Sequence, residues 1–303
     1  MSEGFWIRRL ALLGVGLIGG SLARALREAG VLGEVIAWGP HQSTLERARK
    51  LGVIDVIASE PGTAAAGADM VVLAAPLGAF EDLLKAISGQ LQTGAVITDV
   101  GSAKGSVVAA ARRHLGPDFT NFVPGHPIAG TEKNGVEASF ASLFRNHRVI
   151  LTPVEETAAG ALEKVRAMWQ QTGAEVEEMA VAHHDEILAA TSHLPHMLAY
   201  SLVDCLAGME GSREVFRFAA GGFEDFTRIA SSSPRMWHDI VFANREALVQ
   251  VLDLFDGYLQ RLGEAIRSGD SDAVLGSFER AKAARDRFVS RRRAELDNEH
   301  GEC

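Results

Sequence analysis

The 303-residue sequence predicts an α/β domain with a doubly wound, mostly parallel sheet, followed by an all-helical domain. Short apolar runs alternate with amphipathic segments from Trp6 to about Met179, which is typical of βαβ units. Beyond that point the strand pattern stops and long helical stretches follow. The length also fits about two domains. We therefore predict domains at 1–179 and 180–303, with the boundary near 178–181.

Eight apolar runs predict strands, and the segments between them predict five helices. The strands are RRLALLGV, EVIAW, DVIAS, DMVVLAAP, AVITDV, NFVPG, RVILTP and AEVEEM. The helices are 17–30, 43–51, 78–89, 103–114 and 157–171, and several are bounded by Gly or Pro.

The composition is typical of a globular protein, with 47% hydrophobic and 23% charged residues. A net charge of −9 has the wrong sign for nonspecific binding to nucleic acid or to an anionic membrane, so we expect neither partner. Cys205 and Cys303 are far apart and offer neither a disulfide framework nor a CxxC metal site. This cysteine usage predicts a reducing compartment.

The N-terminal segment imitates a secretory signal peptide, because Arg8-Arg9 precedes an apolar run that ends in Ala23-x-Ala25. Glycines at 14, 16, 19 and 20 interrupt that run with a spacing that favours a nucleotide-binding turn. No stretch approaches the roughly 20 uninterrupted apolar residues of a membrane-spanning helix. We therefore predict a cytoplasmic protein.

The run Gly14-Val15-Gly16-Leu17-Ile18-Gly19 follows the first strand and opens a helix, as in a Rossmann-type dinucleotide site. Gly14 permits the tight turn, Gly16 lets the backbone approach a pyrophosphate, and Gly19 allows close helix packing. The helix N-terminus then binds the anion. The alternative is a glycine-rich turn that binds no ligand, and the βαβ units that follow make it the less favoured interpretation. Gly14, Gly16, Leu17, Ile18 and Gly19 are the predicted cofactor residues here.

The second strand, EVIAW, ends at Gly39 without the Asp or Glu that usually binds the ribose hydroxyls of NAD. Nothing there repels a 2′-phosphate, so the sequence favours NADP over NAD. The side chains that would contact such a phosphate are His41, Ser43, Thr44 and Arg47. Two residues at the end of the fourth strand are also placed at the cofactor, Ala75 and Pro76.

Two motifs end the fifth and sixth predicted strands, Thr98-Asp-Val-Gly-Ser102 and Gly125-His-Pro-Ile-Ala-Gly-Thr-Glu132. The carboxyl ends of strands face the ligand crevice of a doubly wound sheet, so Ser102 and His126 are expected to converge on the reactive end of the cofactor. Ser102 is alternatively only a helix N-cap. A histidine in a strand-terminal loop suits proton transfer near neutral pH.

The helical part contains two further motifs, Ser192-His-Leu-Pro-His196 and Gly221-Gly-Phe-Glu-Asp-Phe-Thr-Arg228. His193 and His196 would share a helix face, but no HExxH or cysteine ligand set supports a metal, and we expect none. Arg228 is expected to be buried among apolar neighbours. Its partner is then either a substrate carboxylate or Asp225.

The segment 235–268 predicts one long helix that opens after Ser233. An apolar seam with a 3.5-residue period runs along it, broken only by Arg245. The seam consists of Val241, Arg245, Leu248, Leu252, Phe255, Leu259, Leu262 and Ile266. It fits either intrachain packing or a helix shared across a dimer, and we favour a homodimer.

Together, GxGLIGGS, DVGSAKG, GHPIAGTE, SHLPH and GGFxDFTRIA, followed by Met236-Trp237, resemble the prephenate and arogenate dehydrogenase family of tyrosine biosynthesis. The resemblance extends from about residue 8 to 290. It implies a Rossmann domain joined to a helical dimerisation domain, with NAD or NADP as cofactor and prephenate, arogenate or both as substrate. Gly39 departs from family members that carry Asp there.

The same resemblance implies roles for individual residues. His126 corresponds to the catalytic histidine that binds the C4 hydroxyl of the substrate, and Ser102 to the serine that orients it. His196 resembles a substrate-binding histidine, and Arg228 the arginine that grips the ring carboxylate. Three more residues are placed at the substrate, Glu132 at the gate, Trp237 in the pocket wall, and Thr131.

Two other function classes remain open at this stage. A β-hydroxyacid dehydrogenase would share the glycine loop and the helices that follow it. Families similar to that class use a lysine as the acid or base. No lysine lies between Lys164 and Lys282. A non-catalytic dinucleotide sensor would not need the histidine and arginine motifs.

Overall fold

The computed structural model describes residues 4–131 and 133–301, without the side chains of 292 and 294–301. Glu132 and Cys303 lie outside the described residues. The chain divides into two compact units, Met1–Leu248 and Val249–Cys303.

A six-stranded parallel sheet forms the centre of the first unit. Its strands are β1 (Ile7–Leu13), β2 (Leu32–Trp38), β3 (Val56–Ile57), β4 (Met70–Leu73), β5 (Val96–Asp99) and β6 (Phe122–Val123). They stand in the order β3-β2-β1-β4-β5-β6. The order reverses between β1 and β4, which pair from Leu10 with Met70 to Leu13 with Leu73. The predicted doubly wound sheet is thus confirmed, and a ligand crevice is expected at the carboxyl ends of these two strands.

Helices connect the strands of this sheet. They are α1 (Leu17–Glu28), α2 (Gln42–Lys50), α3 (Pro61–Ala65), α4 (Phe80–Ile87) and α5 (Gly105–His114), and a sixth helix, α6 (Ala159–Gln170), connects two strands of the second sheet described below. Five of them correspond to the predicted helices, and the five-residue α3 is additional.

Alternate residues of β1 supply the two faces of the core. Leu10 and Leu12 pack into one buried cluster, and Ala11 and Leu13 into the other. A strand buried on both faces is apolar throughout rather than alternating, which explains the continuous apolar run in the sequence.

A second sheet of three strands holds His126. It consists of β7 (Gly125–Pro127), β8 (Arg148–Leu151) and β9 (Glu175–Glu178). β7 runs antiparallel to β8, with His126 opposite Ile150, and β8 runs parallel to β9. The expectation that His126 lies in a loop after the sixth strand was therefore wrong. Pro127 is tolerated because β7 lies at the edge of this sheet, where a missing N–H breaks no ladder.

The described chain after β9 is helical. The elements are α7 (Val181–Leu188), a π-turn (Ala189–His193), α8 (Leu194–Ala207), α9 (Ser212–Arg217), α10 (Gly221–Thr227), a 3₁₀ turn (Arg228–Ser231), α11 (Pro234–Ala243), α12 (Arg245–Ser268) and α13 (Ser271–Gly301).

The long helix predicted at 235–268 is instead two helices, because Asn244 interrupts it. Asn244 has φ −119° and ψ 35°, outside the helical region. Its buried side chain donates a hydrogen bond of 2.8 Å to the backbone carbonyl of Asp185. This hydrogen bond to a residue 59 positions away holds the Asn244 side chain at the break.

The predicted apolar seam is only partly covered within one chain. Leu248 is buried, whereas Leu259 and Ile266 are 55% and 61% exposed. An exposed apolar helix face of this kind is typical of a surface that contacts another protein chain. No helix among the described residues is both long enough and apolar enough to cross a bilayer.

Candidate active site

The glycine turn after β1 is shaped by close backbone contacts. Gly14 has φ +104°, and a Cβ on it would lie 2.5 Å from the carbonyl oxygen of Ala74. A Cβ on Gly19 would lie 2.6 Å from the carbonyl oxygen of Gly14. Gly16, by contrast, faces open space within 4 Å of its Cβ position. Only glycine fits at 14 and 19, while Gly16 leaves room for a group to approach the backbone.

Helix α1 begins at Leu17, has no side-chain cap and carries no acidic residue in its first turn. Its first N–H groups, including that of Ile18, are thus free to bind an anion such as a pyrophosphate. Ala75 and Pro76 follow β4 directly, and the backbone nitrogen of Ala75 lies 2.8 Å from the Cβ position of Gly14. These residues fit a dinucleotide.

The end of β2 is open, as its sequence predicts. A Cβ on Gly39 would make only an ordinary contact with Leu45, at 3.6 Å. His41 is the N-cap residue of α2 and Ser43 lies in its first turn, and both side chains are exposed. Arg47 forms an ion pair with Glu137 at 3.4 Å.

A fully buried ion pair supports the strand that carries His126. Lys104 Nζ binds Asp99 and donates a hydrogen bond of 2.6 Å to the carbonyl oxygen of Gly125. Asp99 also accepts from the backbone N–H groups of Gly101 and Gly125, at 2.8 and 3.1 Å. Burial raises the pKa of Asp99 and lowers the pKa of Lys104, against their mutual attraction. The pair holds the beginning of β7 beside the end of β5.

His126 belongs to a buried chain of three side chains. Its Nδ1 lies 2.9 Å from Nε2 of His184, and Nδ1 of His184 lies 2.8 Å from Oδ1 of Asp185. Burial, and then the neighbouring charges of His184, Lys104 and His193, hold the pKa of His126 well below 6.5. His126 is therefore neutral at neutral pH.

Asp185 also caps helix α5 from a distance in sequence. Its two carboxylate oxygens accept hydrogen bonds of 2.8 Å from the backbone N–H groups of Lys104 and Gly105. Burial raises the pKa of Asp185, but the hydrogen bonds from His184 and these N–H groups outweigh it, so the pKa lies below 3.8. The N-cap residue of α5 is Lys104, so the alternative in which Ser102 serves only as N-cap was wrong. Ser102 is half-buried before this helix.

The π-turn brings His193 beside this chain. Nδ2 of Asn244 lies 3.2 Å from Nδ1 of His193, and it must donate because it also donates to the carbonyl of Asp185. Nε2 of His193 therefore carries the hydrogen, and this buried atom has no hydrogen-bond partner among the described residues. Burial lowers the pKa of His193 to about 4. Buried polar groups of this kind usually bind something, so His193 is available to a ligand.

His196 stacks on Trp237, with ring centroids 3.7 Å apart and an interplanar angle of 24°. Nδ1 of His196 donates to the carbonyl of Ser192 at 2.8 Å, which leaves Nε2 as its free nitrogen. The pKa of His196 is lowered by burial and, after an opposing hydrogen bond to Ser192, by the charge of Arg228. Buried Nε1 of Trp237 also lacks a partner in the described part of the chain. The fold thus brings together three of the predicted substrate residues, His196, Trp237 and Arg228.

One prediction about the substrate residues was wrong, and another falls on a residue outside the described part of the chain. Arg228 is exposed rather than buried, because it opens a surface 3₁₀ turn. Thr131 is exposed, and its hydroxyl accepts a hydrogen bond of 3.2 Å from the backbone of Lys133. Glu132 lies outside the described residues.

Comparison with known proteins identifies the family. The model of the prephenate dehydrogenase nucleotide-binding domain matches residues 22–178, and that of the prephenate dehydrogenase dimerization domain matches residues 180–280. A cyclohexadienyl dehydrogenase of Zymomonas mobilis is 39% identical over 280 residues, which cover 92% of this chain and 95% of that protein. The chain belongs to the prephenate dehydrogenase family. It is therefore an oxidoreductase that uses a nicotinamide dinucleotide.

Further relatives within the prephenate dehydrogenase family agree with this assignment. Prephenate dehydrogenase of Bacillus subtilis is 36% identical, over 95% of this chain and 78% of that protein. The crystal structure of prephenate dehydrogenase from Aquifex aeolicus in complex with hydroxyphenyl propionate and NAD+ has a TM-score of 0.87 and 35% identity, and covers 95% of this chain and all of that one. A Synechocystis arogenate dehydrogenase structure has a TM-score of 0.77 and 27% identity, over 92% and 99% of the two chains. The predicted resemblance is confirmed.

Three residues that the structure places beside His126 or His193 were not predicted to lie at the candidate site. They are His184, Asp185 and Asn244. In the described parts of the chain, no group of three or more ligand side chains is arranged to hold a metal. Helical periodicity places His184 and Asp185 on the same face as the buried Leu188, which is the signal that was available.

Proposed function

We propose that this chain catalyses the oxidative decarboxylation of prephenate to 4-hydroxyphenylpyruvate, with arogenate as the alternative or second substrate. The observation that carries the proposal is the buried, neutral His126, whose Nδ1 is occupied by His184 and whose Nε2 is left to act as a base. The relatives named prephenate, cyclohexadienyl and arogenate dehydrogenase support the same substrate class.

His126 is the base of the proposed reaction. A nicotinamide dinucleotide held at the glycine turn and the N-terminus of α1 would supply the acceptor for the hydride that leaves C4 of the substrate. As this hydride leaves, Nε2 of His126 takes the proton of the C4 hydroxyl, so that the oxygen becomes a carbonyl. Breaking of the bond to the ring carboxylate then releases CO2 and sends two electrons through the ring to that oxygen. The oxygen recovers its proton from His126, so the residue ends the cycle neutral.

The remaining candidate residues bind and orient the substrate. Ser102 orients the C4 hydroxyl, and Arg228 grips the ring carboxylate through its planar fork of donors. His196 and Trp237 form a stacked wall, and Thr131 and Glu132 complete the substrate site. Holding the reacting atoms in place supplies much of the rate in a reaction of this kind.

The acidic chain must bind an anionic substrate, and local donors answer that requirement. The charge of Arg228 acts on His196. Buried N–H groups of His193 and Trp237 lack partners within the described residues. A carboxylate or carbonyl oxygen of the substrate would satisfy these donors. The net charge of −9 therefore does not oppose binding at this position.

We further propose NADP as the preferred cofactor. Gly39 leaves no carboxylate to repel a 2′-phosphate or to bind the ribose hydroxyls. His41 and Ser43 are exposed at the uncapped N-terminus of α2, which has no acidic residue in its first turn. An anion is favoured at such a helix end.

The active form is proposed to be a homodimer in the cytoplasm. The dimerization-domain match and the exposed seam residues Leu259 and Ile266 support the homodimer. The exposed Cys205 thiol suits a reducing compartment. We retain the division into a dinucleotide-binding domain, 1–179, and a helical substrate and dimerisation domain, 180–303.

An absorbance assay at the reduced-nicotinamide band tests the proposed function. Prephenate and arogenate are each combined with NAD and with NADP. We expect reduction with prephenate and faster reduction with NADP. Reduction with arogenate alone would move the assignment to arogenate dehydrogenase. Cofactor binding without reduction by either substrate would favour the dinucleotide sensor.

A further inference from the structure

We propose that His184 and Asp185 are positioning residues that fix the tautomer of His126 and take up the positive charge when His126 receives the substrate proton. This inference rests on the proposed function of His126 as the base. It concerns two residues that the sequence motifs did not place in the reaction.

The hydrogen-bond chain determines which nitrogen of each ring carries a hydrogen. Asp185 is a carboxylate that already accepts from two backbone N–H groups, so Nδ1 of His184 must donate to it. In the form of His184 that carries a single hydrogen, on Nδ1, Nε2 is then an acceptor. Nδ1 of His126 donates to that atom, across 2.9 Å. Nε2 of His126 is left with a lone pair and no hydrogen.

This arrangement is needed because the opposite tautomer could not act as a base. If Nε2 of His126 carried the hydrogen, it would donate to the substrate hydroxyl instead of accepting its proton. The anchor of the whole chain is the beginning of α5, where Lys104 and Gly105 hold the Asp185 carboxylate. A helix N-terminus favours a negative charge, so the anchor stays ionised.

The hydrogen bonds from His126 through His184 to Asp185 also allow a buried imidazole to accept a proton. His126 is only 8% exposed, and the charge of Lys104 opposes a positive charge on it. When a proton binds Nε2 of His126, the hydrogen on Nδ1 can move to Nε2 of His184. One N–H bond breaks and one forms, and the charge then lies on His184, next to Asp185. The reverse transfer returns the proton to the phenolic oxygen.

The tautomer can be measured without any turnover. Nitrogen-15 NMR of histidine-labelled protein, free of substrate, is recorded near neutral pH, with His126 assigned from the spectrum of the His126→Asn variant. We expect a hydrogen on Nδ1 and none on Nε2 of His126. A hydrogen on Nε2 overturns the inference. The tautomer is read from the wild-type spectrum, and if His126→Asn does not fold, His126 is assigned in the wild type through correlations with its own backbone resonances.

Substitution of Asp185 tests whether the carboxylate controls the tautomer. In Asp185→Asn the amide can donate to His184 and reverse the chain, so we expect Nε2 of His126 to gain the hydrogen. We expect kcat to fall about 10²–10⁴-fold with KM little changed. A spectrum and a kcat that match the wild type would overturn the proposed role.

Two companion variants separate this role from general destabilisation. Asp55→Asn is a matched control. Asp55 accepts a hydrogen bond of 2.7 Å from the backbone of Val35 and pairs with Arg27, and it takes no part in the hydrogen bonds that join His126, His184 and Asp185. We expect unchanged kcat there. In His184→Gln a carbonyl oxygen can still accept from His126 but cannot take its proton. We expect the wild-type tautomer with reduced kcat, and full activity would overturn the charge-transfer part.

Different results would contradict the proposed function and the inference about His184 and Asp185. If the protein does not oxidise prephenate or arogenate, the proposed function fails, whatever the NMR spectrum shows. If it does oxidise them but His126 has the opposite tautomer, only the inference about His184 and Asp185 fails.

Discussion

Nδ1 of His126 lies 2.9 Å from Nε2 of His184, a contact that joins the edge strand β7 to helix α7. The two residues are 58 positions apart and belong to different predicted domains. The surroundings of the proposed base therefore include residues from both predicted domains. Replacement of groups on either side should affect the same chemical step.

Replacement of His126 tests its role as the base. We expect His126→Asn to lower kcat about 10²–10⁴-fold, because general base catalysis contributes a factor of that size. KM should change little if binding depends on other residues. Steady-state kinetics provide the measurement. His147→Asn, at an exposed histidine outside the site, is the control and should retain full activity. An active His126→Asn enzyme would reject the assignment.

The pH dependence of kcat should reflect the environment of His126. Burial and the charges of His184, Lys104 and His193 place its pKa below 6.5, and a base must be unprotonated to act. We therefore expect kcat to stay high as the pH falls through 6.5, and to be lost only at lower pH, when His126 binds a proton. The measurement is kcat between about pH 5 and 8. An acid limb with its midpoint at or above 6.5 would contradict this environment.

Removal of the Arg228 guanidinium should weaken substrate binding. A hydrogen bond to a charged group contributes about 1.5–3 kcal/mol, so we expect Arg228→Ala to raise KM about 10–100-fold. The effect on kcat should be smaller, because the carboxylate is bound both before and during the reaction. Arg112→Ala, which breaks a surface pair with Glu156, is the control. An unchanged KM in Arg228→Ala would remove Arg228 from the substrate site.

Restoration of an acid at the end of β2 should reverse the cofactor preference. Gly39→Asp fits sterically, because a Cβ there makes only an ordinary contact. The new carboxylate would repel a 2′-phosphate and bind ribose hydroxyls. We expect kcat/KM for NADP to fall at least about tenfold, which corresponds to 1.4 kcal/mol, and the value for NAD to rise. Wild-type protein that prefers NAD would contradict the NADP proposal directly.

Charges placed on the exposed seam of α12 should separate the homodimer. We expect Leu259→Glu and Ile266→Glu to convert a dimer, of twice the 32.4 kDa chain mass, into monomers. Burial of unpaired carboxylates in an apolar interface is unfavourable. Light scattering after size-exclusion chromatography measures the mass. Gln260→Glu on the same helix is the control. A monomeric wild type would reject the proposed dimer.

Local periodicity was enough to predict most of the fold. The eight predicted strands and the five predicted helices of the first part are all present, because each run carries its own apolar pattern. Strand β7 was missed because three residues that include Pro127 give no alternation. The break at Asn244 was missed because the hydrogen bond that accompanies it is to the backbone of Asp185, 59 residues away.

The same limit applies to the candidate site. Motifs singled out His126, His196 and Trp237, since each stands in a short recognisable run, and their roles stay predictions. The contribution of Asp185 depends on the beginning of α5, 81 and 80 residues earlier, which no local pattern specifies. Arg228 was expected to be buried because its neighbours in sequence are apolar, yet the short turn directs it to the surface.

The most direct test of the proposed function is the stoichiometry of the reaction with prephenate. Reduced nicotinamide is followed by absorbance while released CO2 is measured in the same sample. We expect one CO2 for each reduced nicotinamide, with 4-hydroxyphenylpyruvate as the product. Reduction without CO2 release, or no reduction with either NAD or NADP, would contradict the account.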